Sequence, residues 1–178
     1  MTFNSKIILF SLIVFTMSWE QTIAQTRAQG EGQVLSQFFN FQASLVVKNI
    51  QDITDEEAQK RINKANSLEW IVGHTLDLHY NLAILLGVSK TNPYAEQFAY
   101  GKPFDPNAEY SSLSTMLEEW QILQPQVAKA FTQLTKEALS GDAPFPNPYP
   151  EQSFRGLVIF QMHHLGYELG QIGLYRKL

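Results

Sequence analysis

Four long stretches of this chain space their apolar residues three and four apart, and none alternates apolar with polar residues as a half-buried strand does. That periodicity restricts the fold to packed helices, and the connectors restrict it further. The first stretch covers about Gln33 to Ile50, with Val34, Phe38, Phe41, Leu45 and the Val46–Val47 pair read as its buried side. Thr54 followed by Glu57 is a capping-box signature for a short helical turn, after which Asn66 or Ser67 caps a second helix running to about Leu86. Gly87 supplies the left-handed residue that commonly ends a helix. A third helix starts near Ser111–Ser112 and passes through Met116, Trp120, Leu123, Val127, Phe131 and Leu134, with a bend expected at Pro125. The fourth occupies roughly Glu151 to Lys177, behind a run from Pro144 to Pro150 whose alternate prolines forbid helix.

The link from Val88 to Tyr110 is too long for a hairpin. At roughly 3.3 Å per residue it outreaches the roughly 30 Å length of a 20-residue helix, so it can cross the bundle and leave helices two and three parallel. The expectation is an all-α, up-down-down-up four-helix bundle with one long crossover between helices two and three.

The first residues differ in character. Lys6 precedes an apolar run from Ile7 to Met17, and Thr22-Ile23-Ala24 offers a small-residue cleavage site, with Ala28 as a second choice. The run falls short of the roughly 20 residues a membrane-spanning helix needs, so residues 1–24 read as a secretory signal rather than a stable membrane anchor. Residues 25–178 then form one domain of a periplasmic or secreted protein. There is no cysteine to support a disulfide or a lipidated cleavage site, so the core alone must stabilise the fold. The formal net charge is −4, and losing Lys6 and Glu20 with the signal leaves it unchanged. No basic patch is present to hold a nucleic acid.

On the fourth helix Leu157, Phe160, His164, Glu168, Gln171 and Tyr175 stack on one stripe, an unusual position for a carboxylate. A buried ionised glutamate is costly unless a cation, a charged partner or several hydrogen bonds compensate it. His164 and Glu168 are one turn apart, and His74 sits at the margin of the apolar arc of helix two, beside Ile71 and Leu78. Together they make a two-histidine, one-carboxylate set with an open position, a pattern that suits zinc, iron, nickel or manganese. The same residues also suit an intrahelical His164–Glu168 hydrogen bond, a direct His74–Glu168 pair or a protonated glutamate. His79 lies about 140° from His74 around the helix and belongs to a different face, and His163 lies about 100° off the stripe, toward solvent. Trp70, Trp120, Phe38, Phe41 and Phe160 read most simply as core, and Tyr167 and Gln171 as packing or hydrogen-bonding residues.

Trp70-Ile71-Val72-Gly73-His74, the crossover run Tyr94-Ala95-Glu96-Gln97-Phe98-Ala99-Tyr100-Gly101, and above all His164-Leu165-Gly166-Tyr167-Glu168-Leu169-Gly170-Gln171-Ile172 resemble the DinB/YfiT-like bundle proteins. The resemblance covers nearly the whole chain after the signal. It implies an up-down-down-up bundle with a metal on one histidine of helix two and two histidines, four residues apart, on helix four. His74 and His164 match the first two ligands. The third position is Glu168 here, a substitution that keeps a ligand atom but adds a negative charge.

Characterised relatives include transferases that join low-molecular-weight thiols to electrophiles and thiol-dependent isomerases. Many members have no assigned activity, and an exported location counts against a cytosolic thiol cosubstrate; the leading expectation is a metal-dependent transferase or hydrolase that activates water or a thiol, acting on an unidentified small molecule. The competing expectation is a non-catalytic exported bundle that binds a small molecule or partner, its metal site lost. A homodimer is left open.

Overall fold

The computed structural model describes residues 30–63 and 65–177 of the chain, and the expected signal at residues 1–24 lies outside them. Among the described residues every regular element is helical: α1 (Glu31–Ile50), α2 (Asp55–Gln59), α3 (Leu68–Leu85), α4 (Ala95–Phe98), α5 (Leu113–Phe131), α6 (Lys136–Ser140) and α7 (Phe154–Tyr175). The four long ones, α1, α3, α5 and α7, form the bundle.

Side-chain oxygens set where three of these helices begin. Ser67, Ser112 and Ser153 each accept from the backbone N–H three residues on, satisfying a donor that the first turn would leave unpaired. Thr54 and Glu57 complete the capping box that opens α2. Gly87 closes α3 at φ 71°, a conformation that costs a residue without Cβ little. Pro125 lies within α5 and does not end it. The prolines from Pro144 to Pro150 keep the last connector out of helix, and a single antiparallel bridge, Asp142 to Ser153, pins its two ends together.

Contacts at the helix ends fix the topology. The N-terminal ends of α1 and α7 are joined by an ion pair between Glu31 and Arg155, and their C-terminal ends by one between Asp52 and Arg176, so these helices run parallel. Ser36 near the start of α1 donates to the Ala128 carbonyl near the end of α5 at 2.8 Å, so α5 runs antiparallel to α1. Asp55, just after α1, accepts from the Ser114 N–H at the start of α5, and α3 begins at this same end. The order is up, down, down, up, with the segment between α3 and α5 crossing the length of the bundle.

The buried face of α1 differs from its predicted one. Gly32, Ser36, Phe39, Gln42, Ala43, Val46 and Ile50 face inward, while Val34, Phe38 and Phe41 are 52%, 49% and 61% exposed. Close approach to α5 decides this: a Cβ at Gly32 would lie 2.3 Å from the Phe131 carbonyl oxygen, a gap only glycine fits. Phe38 and Phe41 are therefore not core residues, whereas Trp70 and Trp120 are. On α7 the centre of the buried face runs through Val158, Met162, Leu165, Glu168 and Ile172. Phe160, His164, Gln171 and Tyr175 are only half-buried, so the predicted stripe lies at the edge of that face.

The two kinds of glycine predict opposite effects on stability. Gly32→Ala forces α1 off α5 and is expected to cost about 1–3 kcal/mol, as overpacking does. Gly173→Ala meets nothing within 4 Å and is expected to stabilise the helix by up to about 1 kcal/mol. Urea denaturation of the two variants beside the wild type checks both signs.

Candidate metal centre

His74 comes from the first half of α3, while His164 and Glu168 lie one turn apart on α7, the helix packed antiparallel against it. Glu168 Oε1 stands 3.3 Å from His164 Nε2 and 3.9 Å from His74 Nε2, and one ligand atom from each of the three residues lies within 4.8 Å of the others. Donors held at about 2.1 Å from one tetrahedral ion are about 3.4 Å apart, so the carboxylate–imidazole distances are already near that spacing, and the two imidazoles must draw together for all three to hold one cation. Among the described residues no other group of histidine, cysteine and carboxylate side chains converges in this way. Glu168 is 3% exposed and His74 8%, while His164 is half-buried and leaves a path to solvent.

Each ligand atom is oriented from behind. His74 Nδ1 lies 2.7 Å from the carbonyl oxygen of Phe98. A carbonyl can only accept, so Nδ1 donates to it and Nε2 is the nitrogen left facing Glu168. Gln171, three residues along α7, donates to Glu168 Oε2 at 2.5 Å, which leaves Oε1 as the free oxygen facing the two imidazoles. The Trp70 indole stacks on the His74 ring at 5.2 Å and 12°, closing its other side.

Placement of the Phe98 carbonyl begins with an acid. Asp77 is 1% exposed on α3, and burial pushes its carboxyl upward against the hydrogen bonds it accepts. Asn92, at the start of the crossover, donates to Asp77 Oδ1 at 2.7 Å and to Asn81 Oδ1 at 3.0 Å, and its own Oδ1 accepts from the Tyr94 N–H. This stitching lays the turn α4 across the outer side of α3, and the Phe98 ring drops onto Gly73. A Cβ at Gly73 would stand 2.3 Å from the Phe98 ring, so glycine at this position lets the crossover come close enough to reach His74. Sequence reasoning missed Asp77, Asn92 and Phe98; the one available signal was an aspartate one turn beyond His74 on an apolar helix.

The remaining histidines stand apart, as their angles predict. His163 is exposed. His79 is 2% exposed, packed between Phe39 and Trp120, and its Nε2 finds no hydrogen-bond partner. Desolvation alone pulls its pKa down to about 3. A cavity of about 540 Å³ lies between α1 and α7 and not over His74, His164 and Glu168.

The family model described as the DinB superfamily matches residues 39–172. The chain belongs to this superfamily. All four bundle helices of this DinB member, and its three converging side chains, fall wholly or mostly within the matched span. The crystal structure of a conserved protein of a locus from Enterococcus faecalis superposes with a TM-score of 0.62 at 16% identity, covering 84% of this chain and 97% of that one. At that identity the likeness concerns the fold. No curated protein matches the sequence.

Two predictions test these environments. In ¹⁵N spectra of the metal-free protein His74 should be an Nδ1–H tautomer, and Gly73→Ala should return it to a mixture while weakening binding of added zinc about 10- to 100-fold. An unchanged tautomer in the variant would contradict the assigned role of Phe98. For His79, a folded pKa near 3 lies below the roughly 6.5 of an unfolded histidine. Its contribution to stability is therefore complete above about pH 6.5 and is lost as pH falls toward 3, on the order of 3 kcal/mol between pH 7 and pH 4. His79→Leu should flatten that part of the stability–pH curve, and an unaltered slope would contradict it.

Proposed function

We propose that this protein is an exported enzyme of transferase or hydrolase type that holds a divalent cation on His74, His164 and Glu168. The observation that carries the reading is the buried Glu168 carboxylate, whose Oε1 faces two imidazole nitrogens at 3.3 and 3.9 Å. The donor set fits: nitrogen, nitrogen and oxygen suit zinc, iron, nickel or manganese, and three protein ligands leave a position for water or substrate. Such an ion supplies a Lewis acid that lowers the pKa of a water or thiol nucleophile.

The chain's own residues supply the rest. The Phe98 carbonyl and Gln171 hold the donor atoms in place before anything binds, which reduces the cost of assembling the site. Trp70 and Phe98 shield His74 from water on the protein side. Glutamate in place of a neutral third ligand adds a negative charge, which favours holding the ion and weakens its Lewis acidity. Small electrophilic substrates that need only modest activation are the class this set favours. The reading includes export through removal of residues 1–24, with no part for nucleic acid.

A metal-free network is the competing reading. It draws support from the Gln171–Glu168 hydrogen bond and the His164 contact, which already satisfy much of the carboxylate.

Elemental analysis of the purified protein separates the two. About one equivalent of divalent metal is expected in the wild type, falling below a tenth in His164→Ala and His74→Ala while the helical circular dichroism stays intact. A wild type that remains metal-free after incubation with zinc, nickel, iron and manganese would exclude the metalloenzyme. On the same sample, an intact mass starting at Gln25 checks the export expectation.

A further inference from the structure

A cavity of about 460 Å³ opens beside the first turn of α3, and none of His74, His164 and Glu168 lines it. Its walls are the end of α2 at Gln59, the start of α3 at Ser67 and Glu69, and the crossover between Phe104 and Tyr110. Three carboxylates border it, Glu69, Asp105 and Glu109, while among the described residues no lysine, arginine or histidine does.

Glu69 is the unusual member of this set. It is 5% exposed, and its Oε1 is buried without a hydrogen-bond partner. Burial pushes its carboxyl upward, against a hydrogen bond from Gln59 and with the repulsion of Asp55 added. An exposed glutamate in the first turn of a helix needs no explanation, because water and the helix dipole both suit it. A buried one with an oxygen left over does, since that oxygen has lost its water and gained nothing in return.

The crossover gives the cavity a fixed apolar wall. The Tyr110 hydroxyl accepts from the Asp105 N–H at 2.9 Å and donates to the Asp105 carbonyl at 3.1 Å. This holds the Tyr110 ring against Phe98 and Phe104, at centroid distances of 5.2 and 6.0 Å. Arg61 lies over the Phe104 ring, 4.7 Å from its centroid, so this wall already receives a cation.

We propose that the cavity is a binding site for a linear aliphatic diamine or polyamine. One ammonium pairs with Glu69 at the floor, the methylene chain lies along Phe104 and Tyr110, and a second ammonium meets the exposed Asp105 or Glu109 at the rim. Asp105 Oδ1 accepts from the Asn107 N–H at 2.9 Å, which leaves Oδ2 for the ligand. A metal ion is the poorer occupant: among the described residues only His74, His164 and Glu168 bring three ligand atoms within 4.8 Å of one another. Carboxylates set further apart match charges spaced along a chain, and an anionic ligand would meet three like charges. The volume falls within the roughly 300–1,000 Å³ of small-molecule sites.

Isothermal titration calorimetry of the purified chain with putrescine, at about 150 mM salt to screen contacts with exposed acids alone, tests the proposal. One equivalent is expected to bind with a Kd below about 1 mM. Glu69→Gln, which keeps the shape and removes the charge, should weaken binding at least about 10-fold. Ala108→Phe, which fills the cavity and leaves every carboxylate in place, should do the same, with unchanged helical circular dichroism in both variants. Butanediol, equally long and uncharged, should not bind, and His164→Ala should bind putrescine as the wild type does. A wild type that takes up no putrescine overturns the proposal, and so does equal affinity in Glu69→Gln. Binding lost in His164→Ala overturns it as well, because the diamine then sits at the metal centre.

Discussion

Burial of Glu168 is the constraint around which the rest of the site is arranged. Left alone, an ionised carboxylate 3% exposed in a helical core would cost several kcal/mol. Three groups converge on it: Gln171 on one oxygen, and the imidazoles of His164 and His74 on the other. For both imidazoles to offer a lone pair to a cation shared with Glu168, their protons must lie on the far nitrogen. The fold enforces this at His74, where the Phe98 carbonyl takes the Nδ1 proton. The long crossover is thus more than a connector. Its path is fixed by Asn92 on the buried Asp77 and by the missing Cβ at Gly73, and its end product is a histidine with one defined tautomer.

The same economy explains why α3 is buried almost all round, although a bundle helix normally keeps one face in water. Two long neighbours, α5 and α7, cover its inner sides, and the crossover turn covers the outer one. Residues that would otherwise face solvent, Trp70, Gly73, His74 and Asp77, become a dry wall behind the ligand atoms. Low polarity behind the site and partial exposure of His164 in front give it one open side, which a small molecule could approach.

Much of this was legible in the sequence, and the parts that were not share a cause. Helical periodicity, the serine caps, Gly87 and the proline run located all four long helices, because each signal is local and depends on backbone chemistry alone. The convergence of His74, His164 and Glu168 was readable because a polar residue on an apolar stripe demands a partner across the bundle. The face of α1 was misread for the opposite reason. Its sequence offers two apolar arcs, Val34–Phe38–Phe41 and Phe39–Ala43–Val46–Ile50, and hydrophobicity favours the bulkier one. The choice was made by tertiary fit: Gly32 and Ser36 let α1 approach α5, with Ser36 donating to the Ala128 carbonyl. Likewise the supporting contact on His74 comes from a backbone carbonyl, which no residue type announces.

The claim that this arrangement is a metal centre is tested most directly by anomalous diffraction from crystals of the chain grown with one equivalent of zinc. The account predicts a single strong peak bonded to His74 Nε2, His164 Nε2 and a Glu168 oxygen at about 2.0–2.2 Å, with at least one further position held by solvent. Zinc bound elsewhere on the surface, with Glu168 still in hydrogen-bond contact with an imidazole, would contradict it.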